Sequence, residues 1–463
     1  MSDRRIILRN IYHLALGNAA GDRLRGVDLL LEGNRIQALG QNLPRGDAQQ
    51  IDASTKLVMP GLVNTHHHMY QTLQRNIPAV QNVELFDWLV TLYEIWRHLT
   101  PETIHVSTQL ACCELLRTGC TCAMDHHYVF PAGVSQDLIG VQLAAARQTG
   151  IRFCATRGSM SRGKSRGGLP PDSVVQDEET ILRDSEDLIR QHHDASPCSM
   201  THLALAPCSP FSVSEELMRQ TAELARRHGV RLHTHLAETR DEEAYCIEHY
   251  GGRPLELMER LGWVGPDVWY AHGIHFNDAE LDLLARTGTG VAHCPSSNMR
   301  LGSGIARVPE MLRRGIGVGL GVDGSASNDT SDMMGEMRAC LLLHRVLGGA
   351  AAITAEQVLG IATRGGAALL GWPELGTLEP GQAADVVLVE MDRLDYAGAL
   401  SDPLAAVMFS GTSHQAHTVI VDGRVVLEQG RVLGVDEEAL RQQANAEARR
   451  MMEAAGHDTR WML

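Results

Sequence analysis

Residues 60–68 read Pro60-Gly61-Leu62-Val63-Asn64-Thr65-His66-His67-His68. A short apolar run delivers three histidines at its C-terminal end. In an extended chain alternate side chains share a face, so His66 and His68 point together and His67 points away. Two imidazoles on one face at the end of a parallel strand form a metal-ligand pair, because barrel enzymes gather their chemistry at the C-terminal strand ends. Taken alone, the stretch is also compatible with a polar loop or with histidines satisfied in a core.

The pattern around it repeats. From about residue 61, apolar runs of strand length alternate with long amphipathic segments. The runs end near His68, Asp125, Arg157, Cys208, Glu238, His272, Cys294 and Asp323. The intervening segments 215–228 and 309–315 have helical periodicity and close on Gly229 and Gly315, as helix C-termini do. Eight strands alternating with helices predict an α/β fold, a (β/α)₈ TIM barrel.

The ends of the chain have a different texture. Residues 5–9, 27–31 and 35–39 read as short strands, as do 384–389, 418–421 and 424–427, with Asp422-Gly423 as a hairpin turn. The two β-rich ends are expected to meet as one small β-sandwich. The expected division is 1–60 and 371–435 for the sandwich, 61–370 for the barrel, and 436–463 for a C-terminal helix.

Composition narrows the function. The chain has 463 residues and a formal net charge of −15, which argues against a nucleic-acid-binding surface. No stretch approaches the roughly 18 apolar residues of a membrane span. The first residues lack the apolar core of a signal peptide, so a cytoplasmic location is expected. The 10 cysteines contain no CxxC pair, and Cys112, Cys113, Cys120 and Cys122 read as small core residues.

Three further strand ends carry polar residues. His233-Thr234-His235-Leu236-Ala237-Glu238 offers His235 as a third nitrogen ligand, with Glu238 three residues later, free to reach the cavity without binding metal. His233 lies deeper, where packing or support of a ligand is its default role. Trp269-Tyr270-Ala271-His272-Gly273 places His272 to orient a water or the substrate. Gly321-Val322-Asp323-Gly324-Ser325 puts Asp323 among small neighbours that let a ligand approach, although an Asp there could equally cap a helix. Three His and one Asp suit a borderline divalent metal, Zn²⁺ first, with Fe²⁺ or Mn²⁺ as alternatives.

Together these stretches resemble the amidohydrolase superfamily, in its mononuclear deaminase and chlorohydrolase-like branch. The likeness runs along nearly the whole chain: PGLVNTHHH, HTHLAE, WYAHG, HCPSSN, GVDGSASND, and LEPGQAADVVLV with its trailing VDGRVV hairpin. It implies one metal per subunit held by His66, His68, His235 and Asp323, with Glu238 as the acid/base residue and His272 beside the hydrolytic water. Asp323 would also take the proton of the attacking water. It further implies a small heterocyclic substrate and, as often in such enzymes, a homo-oligomer.

Binuclear relatives bridge two metals through a carboxylated lysine. Here the only lysines are Lys56 and Lys164, and the fourth strand candidate, residues 201–208, has none. The unrelated zinc deaminases with a PCxxC signature are excluded for want of that motif.

Substrate contacts are expected from Gln71 and Arg75 after the first strand, Arg157 after the third, Cys208 after the fourth, and Ser297 within Ser296-Ser297-Asn298. Trp88 and Trp96 could cover a ring or simply pack a helix. Within the superfamily, MYQTLQR, ELFDWL, TRGSMSRGKSRGGLPPD and ALAPCSPFSVS are most similar to 8-oxoguanine deaminases, which implies conversion of 8-oxoguanine to urate and ammonia. Hydroxyatrazine-type and other triazine hydrolases and isoxanthopterin deaminase are neighbouring alternatives. A metal-free scaffold of the same fold is the alternative of another class; it predicts missing ligands, and none is missing.

Overall fold

The computed structural model describes residues 4–460 and Met462. Eight parallel strands close into a barrel: β1 (Leu62–Asn64), β2 (Cys120–Asp125), β3 (Arg152–Ser159), β4 (Thr201–Pro207), β5 (Arg231–Leu236), β6 (Val268–His272), β7 (Gly290–His293) and β8 (Val318–Leu320). Pairing of Leu320 with Asn64 seals the ring. The expected TIM barrel is therefore the fold. β1 and β8 stop at Asn64 and Leu320 rather than at His68 and Asp323. The chemistry-bearing residues there lie in the segments just past the strands, where the backbone is free to turn them inward.

The helices follow their end signals. In the helix Glu215–His228, the Ser214 side chain accepts from the Leu217 N–H, Glu215 and Glu216 open the first turn, and Arg226, Arg227 and His228 close the last. Acids at the positive end and bases at the negative end complement the helix dipole. Gly229, at φ +68°, supplies the left-handed residue that ends it. Its Leu217, Met218, Ala222, Leu224 and Ala225 are buried in the core.

Outside the barrel, two sheets face each other. One has four strands, all from the N-terminal part, in the order Arg35–Gly40, Val27–Glu32, Arg5–Ile11, Gln49–Asp52. The other has seven and draws on both parts of the chain, because Lys56–Pro60 pairs antiparallel with Val386–Glu390. Ile6, Leu8, Leu29 and Leu31 from the first sheet pack with Val58, Val386, Leu388 and Ile420 from the second. Asp422 and Gly423, at φ +51° and +68°, form the two-residue turn that joins Thr418–Val421 to Arg424–Glu428.

A buried ion pair fastens sandwich to barrel. The Arg152 guanidinium on β3 donates to Asp385 at 2.9 and 3.3 Å and to the Cys198 carbonyl at 2.6 Å. The C-terminal helix Glu437–Ala454 leaves the sandwich and lies on the barrel helices, where Met451 and Met452 join the apolar cluster of Trp88 and Trp96. It thus backs the helix Leu85–Trp96, which covers the mouth of the barrel. Among the described residues, no helix is long and apolar enough to cross a membrane.

Candidate active site

The three histidines past β1, His66 to His68, are held by their neighbours' backbone. The Asp323 N–H donates to the His66 carbonyl (3.0 Å) and the His126 N–H to the His67 carbonyl (2.7 Å). The Asp125 carboxylate accepts the Met69 N–H at 2.5 Å. The segment stays extended, and the alternation expected for a strand survives beyond it. His67 turns away, its Nε2 lying 3.0 Å from Ser331 Oγ. His66 and His68 face inward.

Four donor atoms converge there. His68 Nε2 lies 3.1 Å from His235 Nε2, and Asp323 Oδ1 lies 3.3 Å from His66 Nε2 and 3.4 Å from His68 Nε2. The far nitrogen of each ring fixes which tautomer it adopts. His68 Nδ1–H donates to the His126 carbonyl (2.8 Å) and His235 Nδ1–H to the Cys208 carbonyl (2.5 Å). His66 works through a relay. The Trp269 carbonyl can only accept, so His233 Nδ1 (3.0 Å) carries the proton; His233 Nε2 is then an acceptor, and His66 Nδ1–H donates to it at 2.9 Å.

All three Nε2 lone pairs are left facing the centre, and His66 Nε2 is buried with no hydrogen-bond partner. Burial holds the three imidazoles below their ordinary pKa, His235 at about 3, and so in the neutral form that binds metal. Three imidazole nitrogens and one carboxylate oxygen, each ring braced from behind, fit a zinc-like ion.

Glu238 and His272 adjoin this centre. His272 Nε2 is 3.5 Å from Glu238 Oε2 and 4.0 Å from Asp323 Oδ2, while its Nδ1 is 2.9 Å from Asn298 Oδ1. Burial pushes the Glu238 carboxyl above its ordinary pKa, against the pull of His272, which favours its holding a proton. Burial works the other way on His272, yet the Glu238 and Asp323 carboxylates raise it overall. Three strand ends, those of β5, β6 and β8, place non-glycine residues in the left-handed region: Ala237 at φ +55°, His272 at +71° and Asp323 at +64°. Such backbone is uncommon and costs on the order of 1–3 kcal/mol per residue, and it clusters where side chains must be re-aimed.

A partly open cavity lies above the centre. Gln71 and Cys208 line it, and both polar ends of Gln71 are buried without partners. Trp88, Leu89, Tyr128, Phe211 and Leu301 supply apolar walls suited to a flat ring.

Three of the expected substrate contacts lie elsewhere. Arg75 sits past the short helix Met69–Leu73 and forms a two-pronged pair with Glu114 at 2.6 and 2.7 Å. Arg157 points from β3 into the helix layer, 4.1 Å over the Phe130 ring and bonded to Gln176 at 2.8 Å. Ser297 is buried behind the site and donates to Ser327 Oγ (3.0 Å), which in turn reaches Asp323 (3.3 Å). Trp96 is fully buried in packing, whereas Trp88 faces the cavity. Lys56 pairs with Glu390 and Lys164 with Glu94, both away from the centre.

Sequence reasoning passed over His126, whose ring nitrogen lies within 4.8 Å of the donor atoms of His66, His68 and His235. Its signal was present: Asp125-His126-His127-Tyr128 ends a strand, as the other motifs do. Glu242, also on the cavity wall, was missed because a glutamate three residues after Thr239 reads as half of a capping box.

Comparison with known proteins agrees with this geometry. The chain is 50% identical over 415 residues to the 8-oxoguanine deaminase of Pseudomonas aeruginosa, covering 89% of this chain and 92% of that one. It is 36% identical over 456 residues to the hydroxydechloroatrazine ethylaminohydrolase of Pseudomonas sp. strain ADP, covering 95% and 94%. The crystal structure of an atrazine chlorohydrolase from Arthrobacter aurescens TC1, complexed with zinc, superposes with a TM-score of 0.92 at 32% identity, over 96% of this chain and all of that one. The sequence profile of the amidohydrolase family matches residues 57–426, and the chain belongs to that family.

Proposed function

We propose that this protein is a zinc-dependent aminohydrolase that converts 8-oxoguanine and water to urate and ammonia. The observation that carries the reading is the convergence of three braced imidazoles, the Asp323 carboxylate and a raised glutamic acid in one apolar-walled cavity. The 50% identity to an 8-oxoguanine deaminase supports the choice of ring.

His66, His68, His235 and Asp323 would hold the ion, one per subunit. When bound, such an ion lowers the pKa of a water toward about 7 and acts as a Lewis acid. The remaining work belongs to side chains. Asp323 accepts the proton of the attacking water. Glu238, protonated, donates to the ring nitrogen beside the amino-bearing carbon, which makes that carbon electrophilic. His272 hydrogen-bonds the attacking oxygen. The proton taken by Asp323 is passed to the amino group, the C–N bond breaks as ammonia leaves, and the hydroxyl proton returns to Glu238 as the new carbonyl forms. Gln71, able to donate and accept, would read the ring's amide edge, with Trp88 and Phe211 against its faces.

The test is ammonia release from 8-oxoguanine, guanine, isoxanthopterin, cytosine and hydroxyatrazine by zinc-loaded protein. The highest kcat/KM is expected on 8-oxoguanine. Preference for the triazine would overturn the substrate, and no turnover of any of them at full zinc loading would overturn the reaction.

A further inference from the structure

Glu242 is buried on the cavity wall, on the helix Arg240–Tyr250, with no role in the chemistry so far. Its Oε2 accepts the Glu238 N–H at 2.9 Å. Its Oε1 is buried and has no hydrogen-bond partner. The bond to Glu238 falls where the chain is under strain. Ala237, the residue before Glu238, is in the left-handed region, and the Ile274 and His275 N–H groups, at 2.9 and 3.0 Å, grip its carbonyl from the next strand end. The turn is therefore held on one side by the loop after β6 and on the other by a single side chain. In a continued strand Glu238 would share the face of Leu236, opposite His235, so the turn at Ala237 is what brings its carboxyl to the cavity.

We propose that Glu242 is the positioning residue for Glu238: by accepting its N–H, Glu242 clamps the left-handed turn that aims the Glu238 carboxyl at His272 and at the substrate. The inference rests on the reading of Glu238 as the proton donor. Two features fit it. Burial pushes the Glu242 carboxyl up to about 7, so near neutrality the group can keep a proton on Oε1 while Oε2 remains an acceptor. Thr239 caps the same helix by accepting the Glu242 N–H at 3.3 Å, which fixes the base of the Glu242 side chain. The acceptor thus reaches the turn from a braced position.

The experiment compares Glu242→Gln, Glu242→Leu and Glu242→Asn in the zinc-loaded protein. Gln keeps a carbonyl oxygen at the same reach. Leu removes the acceptor at similar bulk, and Asn retains the amide one methylene short of the turn. The first readout, independent of turnover, is hydrogen exchange of the Glu238 amide; the second is the division of the effect between kcat and KM on the ring wild type prefers. Leu and Asn are expected to speed exchange of that amide at least tenfold and to lower kcat at least tenfold, with KM within threefold of wild type. Gln is expected to stay within threefold in both readouts.

Unchanged amide protection in Leu or in Asn overturns the proposal, as does a Gln variant impaired as much as Leu. If Leu does not fold, Asn against Gln decides the matter alone. Failure of the Glu238 reading is seen separately, as normal turnover by Glu238→Gln with the amide results unaffected.

Discussion

Replacing His233 by phenylalanine should weaken zinc binding about 10–100-fold without touching a ligand. His233 stacks against the Trp269 ring at 4.6 Å, and a phenyl ring can keep that packing. It cannot accept the His66 Nδ1–H. That donor is then left unsatisfied in a fully buried place, at a cost of about 1–3 kcal/mol, or the proton moves to Nε2 and removes the lone pair that faces the ion. Loss of a partner behind a ligating imidazole usually costs 10–100-fold in affinity, about 1.4–2.7 kcal/mol, which agrees with the hydrogen-bond figure. The assay is competition for zinc against a chromogenic chelator, with circular dichroism to show that the fold is retained. A dissociation constant within twofold of wild type would refute the tautomer relay.

Glu238→Gln and Asp323→Asn should each lower kcat about 10²–10⁴-fold in steady-state ammonia release while leaving the fold intact by circular dichroism, since each removes a proton-transfer group. Arg152→Met should destabilise the protein by about 3–5 kcal/mol in denaturant unfolding, because it strands Asp385 as a buried charge; adding Asp385→Leu should recover most of the loss. Burial raises the Glu336 carboxyl to about 8. The native state then holds a proton that the unfolded chain releases near 4.5, so this contribution is present below pH 4.5 and is lost as pH rises through 8. Glu336→Gln should flatten that decline in unfolding midpoints measured from pH 5 to pH 9, and an unchanged slope would contradict the shift.

The barrel was legible because its signal is repetitive: apolar runs followed by helices with ordinary end signals, as at Ser214 and Gly229. The residues now found at the centre were legible for a related reason. His66, His68, His235, His272 and Asp323 each end an apolar run, and a barrel brings such ends together. Arg75 and Arg157 were misplaced because a long side chain, whether past a short helix or on a strand, can turn toward the cavity or away from it. Glu114 and Gln176, distant in sequence, decide that choice. The left-handed turn at Ala237 left no trace in residue type, since alanine has no preference for it; histidine and aspartate are enriched in that region, but His272 and Asp323 are two among many such residues and their type does not single them out. Ser297 was read as a substrate contact because nothing in its motif reveals Ser327, the residue it donates to.

The pairing of Lys56–Pro60 with Val386–Glu390 joins segments more than three hundred residues apart. On a ribosome adding about 5–20 residues per second, the earlier strand waits roughly 16–65 s for its partner to be synthesised. Throughout that interval its unpaired edge and the apolar faces of the N-terminal hairpins stand exposed. Nascent chains of this architecture should therefore depend on chaperones until the last third has emerged. A destabilising change in the first 60 residues should then reduce yield in cells more than it lowers the melting point of the finished protein.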